Sequence, residues 1–183
     1  YLNEERFAVK LCRATQTRVC TVLDFPHGRA PRAIKEMQAR YYIEYGVDEI
    51  DMVMNYGLAR SARWHEVEEE IRAVVDAAHA RNVLVKVIFE ASQLCPEEIV
   101  RATEICISAQ ADFVKTATGF FGAGATEEQL RVMLDTAQGR CKVKASGGIR
   151  DYQTAKKFVE MGVARLGIGS SSVAAILAEE SVS

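Results

Sequence analysis

Short runs of aliphatic and β-branched residues alternate with longer segments whose apolar positions recur every three or four residues, and the alternation continues along the whole chain. The short runs predict six strands: 18–25 (RVCTVLDF), 49–54 (EIDMVM), 84–90 (LVKVIFE), 112–116 (DFVKT), 142–145 (KVKA) and 165–168 (RLGI). The longer segments predict helices over about 31–45, 64–80, 96–109, 126–138 and 151–161, with a last one from about Ser171. An opening helix is expected over about 3–14, with Leu2, Phe7, Val9 and Leu11 as its apolar positions. Helix starts are marked by proline at opening positions, by ATEEQ as a capping box, and by Asp151 before YQTAKKF.

Val- and Ile-rich strands separated by helices predict a parallel sheet covered on its outer face. The turn after the first strand, PHGRAP, is not the G-x-G-x-x-G of an open doubly wound dinucleotide fold. Polar and charged residues instead stand near the end of nearly every strand, which is how a (β/α)8 barrel builds a site at one face. The expected fold is α/β of the TIM-barrel type, in one domain over residues 1–183, with about six βα units. Six strands are two short of eight and leave two unpaired sheet edges.

Composition fits this picture without enlarging it. The 183 residues are 49% hydrophobic and 26% charged with three prolines, enough for one domain with a sizeable core. Acidic and basic residues are interspersed and sum to −2, which argues against a nucleic-acid or anionic-membrane partner. No apolar run approaches the roughly 20 residues that span a bilayer, and the start lacks the basic-then-apolar order of a signal peptide, so the cytoplasm is the expected location. Cys12, Cys20, Cys95, Cys106 and Cys141 are scattered without a C-x-x-C pair and are read as reduced core residues. His27 reads as a turn residue and His65 and His79 as helix residues, none at ligand spacing to another, so no metal or cofactor is expected.

The candidate chemistry lies in lysines that interrupt apolar strands. Strand alternation puts Lys115 with Phe113, Lys142 with Lys144, Lys86 with Leu84 and Ile88, and Asp51 with Glu49 and Val53. These lysines either point outward, with stems between helices, or converge inside the barrel. In the second case poor hydration and neighbouring ammonium groups lower a lysine pKa and leave an amine able to form a Schiff base. Asp51 is then a salt-bridge partner, a proton carrier, or both. The residues alone do not choose Lys115 over Lys144 as the nucleophile. The turns KASGGIR and GIGSSSVAAIL offer backbone N–H groups and hydroxyls near a helix start, which suits a phosphate as well as ordinary capping.

Taken together, VCTVLDFPHG, DEIDMVMNYG, VKVIFE, ADFVKTATGF, VKASGGIR and RLGIGSSS resemble, in order and spacing, the deoxyribose-phosphate aldolases. The resemblance implies reversible cleavage of 2-deoxy-D-ribose 5-phosphate to D-glyceraldehyde 3-phosphate and acetaldehyde, without a metal. It implies that Lys115 is the Schiff-base nucleophile, that Lys144 lowers its pKa and assists proton transfer, and that Asp51 acts as acid and base through a water. Thr118, Gly119, Gly147, Gly148, Ser170 and Ser171 match the substrate and phosphate end, in a GIGSSS turn one residue longer than usual. A homodimer is the assembly the family suggests. The family's first two strands have no counterpart, so the chain is expected to be an N-terminally incomplete barrel. Two other readings remain: an inactive or partner-completed fragment that still binds a sugar phosphate, and a related barrel aldolase for a different sugar phosphate.

Overall fold

Every strand-length run folds as a strand in the computed structural model, which describes residues 4–180. The order is α1 (Glu4–Cys12), β1 (Cys20–Leu23), α2 (Arg32–Glu44), β2 (Glu49–Val53), α3 (Tyr56–Arg60), α4 (Trp64–His79), β3 (Leu84–Ile88), α5 (Pro96–Ser108), β4 (Phe113–Lys115), α6 (Glu127–Ala137), β5 (Lys142–Ser146), α7 (Tyr152–Glu160), β6 (Arg165–Gly167) and α8 (Ser170–Glu180). All five strand pairings are parallel and sequential, β1 to β6, so the chain forms a partial (β/α) barrel of six units. All the strands but β5, which runs one residue further to Ser146, stop earlier than the apolar runs suggest. Asp24 and Glu90, at φ 50° and 53°, turn the chain into the left-handed region just past β1 and β3.

The residues facing outward from the sheet make the core with the helices. Ile50, Met52, Val85, Val87, Val114 and Val143 are buried against Val67, Ile71 and Val74 of α4, Ile99 and Ala102 of α5, and Leu130 and Met133 of α6, among others. The helical spacing i, i+4, i+7 in α4 sets this contact stripe. Two details depart from expectation. In α1 only Val9 is buried, while Phe7 and Leu11 are exposed, because 7, 9 and 11 do not share a helical face; Leu2 lies outside the described residues. In ATEEQ the Thr126 hydroxyl caps Gln129 N–H, but Gln129 Oε1 makes no return bond, so only half of the capping box forms.

The five cysteines are free, as expected, but only Cys106 and Cys141 are core residues. Cys95 is exposed at the start of α5, and Cys20 is reached from a cleft lined by Arg18, Glu49, Lys144 and Arg165. No helix of the described residues is long and apolar enough to cross a membrane.

Candidate active site

Parallel pairing aligns residues on one face, and the register aligns the charged ones. Lys115 stands opposite Lys144, and Asp51 opposite Lys86. Strands in a flat sheet lie about 4.8 Å apart, which would separate β2 from β5 by about 14 Å. Here Lys144 of β5 reaches Asp51 of β2 at 2.7 Å, so the sheet curls and its concave face gathers these side chains.

Asp51 is the hub. Its Oδ2 accepts from Lys115 Nζ at 2.8 Å and from Lys144 Nζ at 2.7 Å; its Oδ1 accepts from Lys86 Nζ at 2.8 Å and from the Cys20 thiol at 3.1 Å. Below it Glu49 holds Lys86 at 2.5 Å and Arg165 by a short contact. The ring of Phe113 lies under Lys86, Lys142 and Arg165, with cation-to-centroid distances of 5.1–5.9 Å. Arg18 also lies 3.5 Å from Glu49, so these two carboxylates face five cationic side chains. The inward reading of the strand lysines holds for Lys86, Lys115 and Lys144, and they meet in one place.

This imbalance sets the protonation states. Burial would raise the Asp51 carboxyl, but the charges of Lys115, Lys144 and Lys86 outweigh it and hold Asp51 ionised far below the usual carboxylate range. Burial pushes the Lys115 ammonium down; Asp51 opposes this, and Lys144 adds to the depression. Lys86 goes the other way: burial would lower it, but Asp51 and then Glu49 keep it charged. The Cys20 thiol, crowded by protein atoms and next to Asp51, is pushed up to about 11 and stays protonated. Lys115 is thus displaced toward a neutral amine.

From Lys115 a cleft of about 420 Å³ runs across the C-terminal ends of β4, β5 and β6. Thr118, Gly119, Gly147 and Gly148 line it, joined by Arg150, Ser171 and Ser172. Ser170 is not among the lining residues: it opens α8 and is exposed, and the α8 hydroxyls on the cleft are those of Ser171 and Ser172. The loops after β4 and β5 come very close together, since a Cβ at Gly147 would lie 2.8 Å from Gly124 Cα. Both glycines have positive φ, 89° and 76°, which a side chain would strain. A wider cleft of about 730 Å³ between α6 and α7 lies on the outer surface, lined by residues such as Glu127, Lys156 and Lys157, and none of the strand-borne ionic residues reaches it.

The DeoC/LacD family aldolase model matches residues 4–176. The chain belongs to the DeoC/LacD aldolase family. Deoxyribose-phosphate aldolase of Carboxydothermus hydrogenoformans is 45% identical over 166 residues, covering 90% of this chain and 73% of that protein. Deoxyribose-phosphate aldolase 1 of Staphylococcus aureus strain Mu50 is 43% identical over 162 residues, covering 88% and 73%. Among solved structures, the tetrameric deoxyribose phosphate aldolase of Aeropyrum pernix superposes with a TM-score of 0.88 at 28% identity, covering all of this chain and 76% of that one.

In this DeoC/LacD aldolase Arg165 and Glu90 escaped the sequence reading, and Lys86 and Glu49 were placed in it without partners. Lys86, Glu49 and Arg165 compose the charged layer beneath Asp51; alternation put Lys86 and Glu49 on the right faces, but nothing local gave either a partner. Glu90 closes the VKVIFE motif, is fully buried, and accepts from both the backbone N–H and the hydroxyl of Thr118, whose Oγ1 in turn accepts from Phe120 N–H. It fixes the loop after β4. An acid ending an apolar run was the available signal.

The close approach of the two loops gives a test of the cleft. Gly147→Ala is expected to raise KM for deoxyribose 5-phosphate by about ten-fold or more, because the added methyl forces the β4 and β5 loops apart. Steady-state kinetics check this; an unchanged KM in a folded variant would separate Gly147 from substrate binding.

Proposed function

We propose that this chain is a class I deoxyribose-phosphate aldolase in which Lys115 forms the Schiff base. The observation that carries the reading is the sharing of Asp51 Oδ2 by Lys115 and Lys144, at the inner end of a cleft bordered by glycine and serine turns. Neutral Lys115 Nζ attacks C1 of the open-chain sugar, and loss of water gives the iminium. The iminium accepts the electron pair of the C2–C3 bond as that bond breaks, while the C3 hydroxyl proton goes to a base. Glyceraldehyde 3-phosphate leaves; the enamine is protonated at C2, and hydrolysis of the resulting iminium frees acetaldehyde and Lys115.

Asp51 and Lys144 suit the proton steps, because one ionised oxygen touches both the reacting amine and a neighbouring ammonium. The phosphate is assigned to the Gly119, Gly147, Gly148, Ser171 and Ser172 end, where backbone N–H groups at the start of α8 and the Arg150 side chain favour an anion. A cytoplasmic setting and a homodimeric assembly are read from the sequence and its resemblance alone.

Incubation with acetaldehyde, reduction with borohydride and peptide mapping test the assignment. The expected product is one ethyl group on Lys115. Label on Lys144 alone overturns the role assignment, and absence of label leaves a sugar-phosphate-binding protein without aldolase chemistry.

A further inference from the structure

The apolar stripe of α2 contains a lysine. Lys35 falls in line with Ala39 and Ile43, and its side chain has no solvent exposure. Its ammonium is 2.9 Å from Glu70 Oε1, donates to the Val53 carbonyl at 2.9 Å, and lies 3.5 Å from Asp24 Oδ2. Glu70 is itself buried in α4, and its Oε1 also accepts from Asn55 N–H at 2.6 Å, at the cap of α3. A buried ion pair seldom stabilises a fold more than apolar residues of the same size would. What this one does is join three separate segments at the strand C-terminal ends: the turn after β1, the last carbonyl of β2 and the start of α3.

The turn after β1 is the informative one. Asp24 has φ 50°, its Oδ2 accepts from Ala30 N–H at 2.8 Å, and its carbonyl accepts from Gly28 N–H at 2.8 Å, which closes residues 24–30 on themselves. Gly28 presses on the chain after β2, where a Cβ would lie 2.3 Å from the Met54 carbonyl oxygen. The turn presents two rings to the loop after β4. Phe25 meets Phe120 edge-on at 5.2 Å between centroids, and His27 meets Phe121 at 5.5 Å. Phe120 and Phe121 directly follow Thr118 and Gly119 of the cleft.

We propose that Lys35 is a positioning residue for substrate binding: through Asp24 it fixes the 24–30 turn, whose aromatic contacts with Phe120 and Phe121 set Thr118 and Gly119 in place. This deepens the aldolase reading and rests on it. Lys35 touches neither Lys115 nor Asp51, so its loss bears on binding geometry more than on formation of the imine.

The test uses the double variant Lys35→Met with Glu70→Gln, which removes both buried charges while the glutamine oxygen still accepts from Asn55 N–H. Asp24→Asn, which keeps an acceptor for Ala30 N–H, is read by the same criteria and decides the matter if the double variant does not fold. Expected are a KM for deoxyribose 5-phosphate raised by about ten-fold, with kcat and acetaldehyde trapping at Lys115 within about two-fold of the parent. Amide hydrogen exchange is expected to rise across residues 24–31 while peptides of β3 and β4 remain protected. An unchanged KM in a folded variant overturns the proposal. So does a fall of kcat and trapping in step with the rise in KM, the behaviour of a barrel that is merely destabilised. Failure of the parent protein to trap acetaldehyde overturns the aldolase reading and this inference with it, whereas trapping by the parent with no KM effect in the variants overturns this inference alone.

Discussion

Lys115→Arg is expected to abolish borohydride trapping of acetaldehyde and to lower cleavage of deoxyribose 5-phosphate on the order of 10⁴-fold or more. Arginine is the informative substitution because its guanidinium stays positively charged and still suits the Asp51 carboxylate, but it does not yield a free amine at any useful pH. The fold and the charge of the hub are thereby largely kept while the nucleophile is lost. Lys144 remains in the variant, 2.7 Å from the same Asp51 oxygen. If Lys144 were the true nucleophile, trapping would persist and map to it. The depressed pKa of Lys115 and its place at the inner end of the cleft argue for the first outcome. Quantifying the label by peptide mass alongside the cleavage rate separates the two.

The strand lysines show which part of this site a sequence can reveal. Alternation with period two assigns each side chain to a face, so Lys115, Lys144, Lys86 and Asp51 were legible as candidates for one surface. Register is not legible in that way. That Lys115 stands opposite Lys144, and that β2 curls far enough to put Asp51 between them, depend on how separate strands pair and bend, which no single strand encodes. The family motifs bridged that gap for three residues and left their charged surroundings unassigned.

Other differences have the same origin. A lysine in a helical stripe reads as an amphipathic side chain with its head in water, and only tertiary contacts with Asp24 and Glu70 show that Lys35 is enclosed. The shift of the lining hydroxyls to Ser171 and Ser172 depends on where α8 begins, and helix ends are the least determined part of any pattern. Cys20 has an apolar neighbourhood in sequence but faces the ionic interior, because the same alternation that buries Thr21 and Leu23 turns it inward.

Asp51→Asn should affect both catalysis and stability. Three ammonium groups lie within hydrogen-bonding distance of this one carboxylate, and without its charge Glu49 is the one carboxylate among the described residues that still pairs with any of them, at Lys86. Leaving buried charges uncompensated costs about 3–5 kcal/mol, measurable as a lower denaturation midpoint. Cleavage is expected to fall by about 10²–10⁴-fold, the usual range for loss of a positioned acid or base. The pH dependence distinguishes the two effects. Asp51 raises the Lys115 pKa against the depression from burial and from Lys144, so its neutralisation lowers that pKa further. Imine formation requires the neutral amine, and the acid limb of acetaldehyde trapping is therefore expected to move to lower pH in the variant, even as cleavage slows. A purely structural role would reduce trapping at every pH in proportion to the folded fraction and leave the limb in place. A limb that moved to higher pH would mean that Asp51 does not act on Lys115 through its charge.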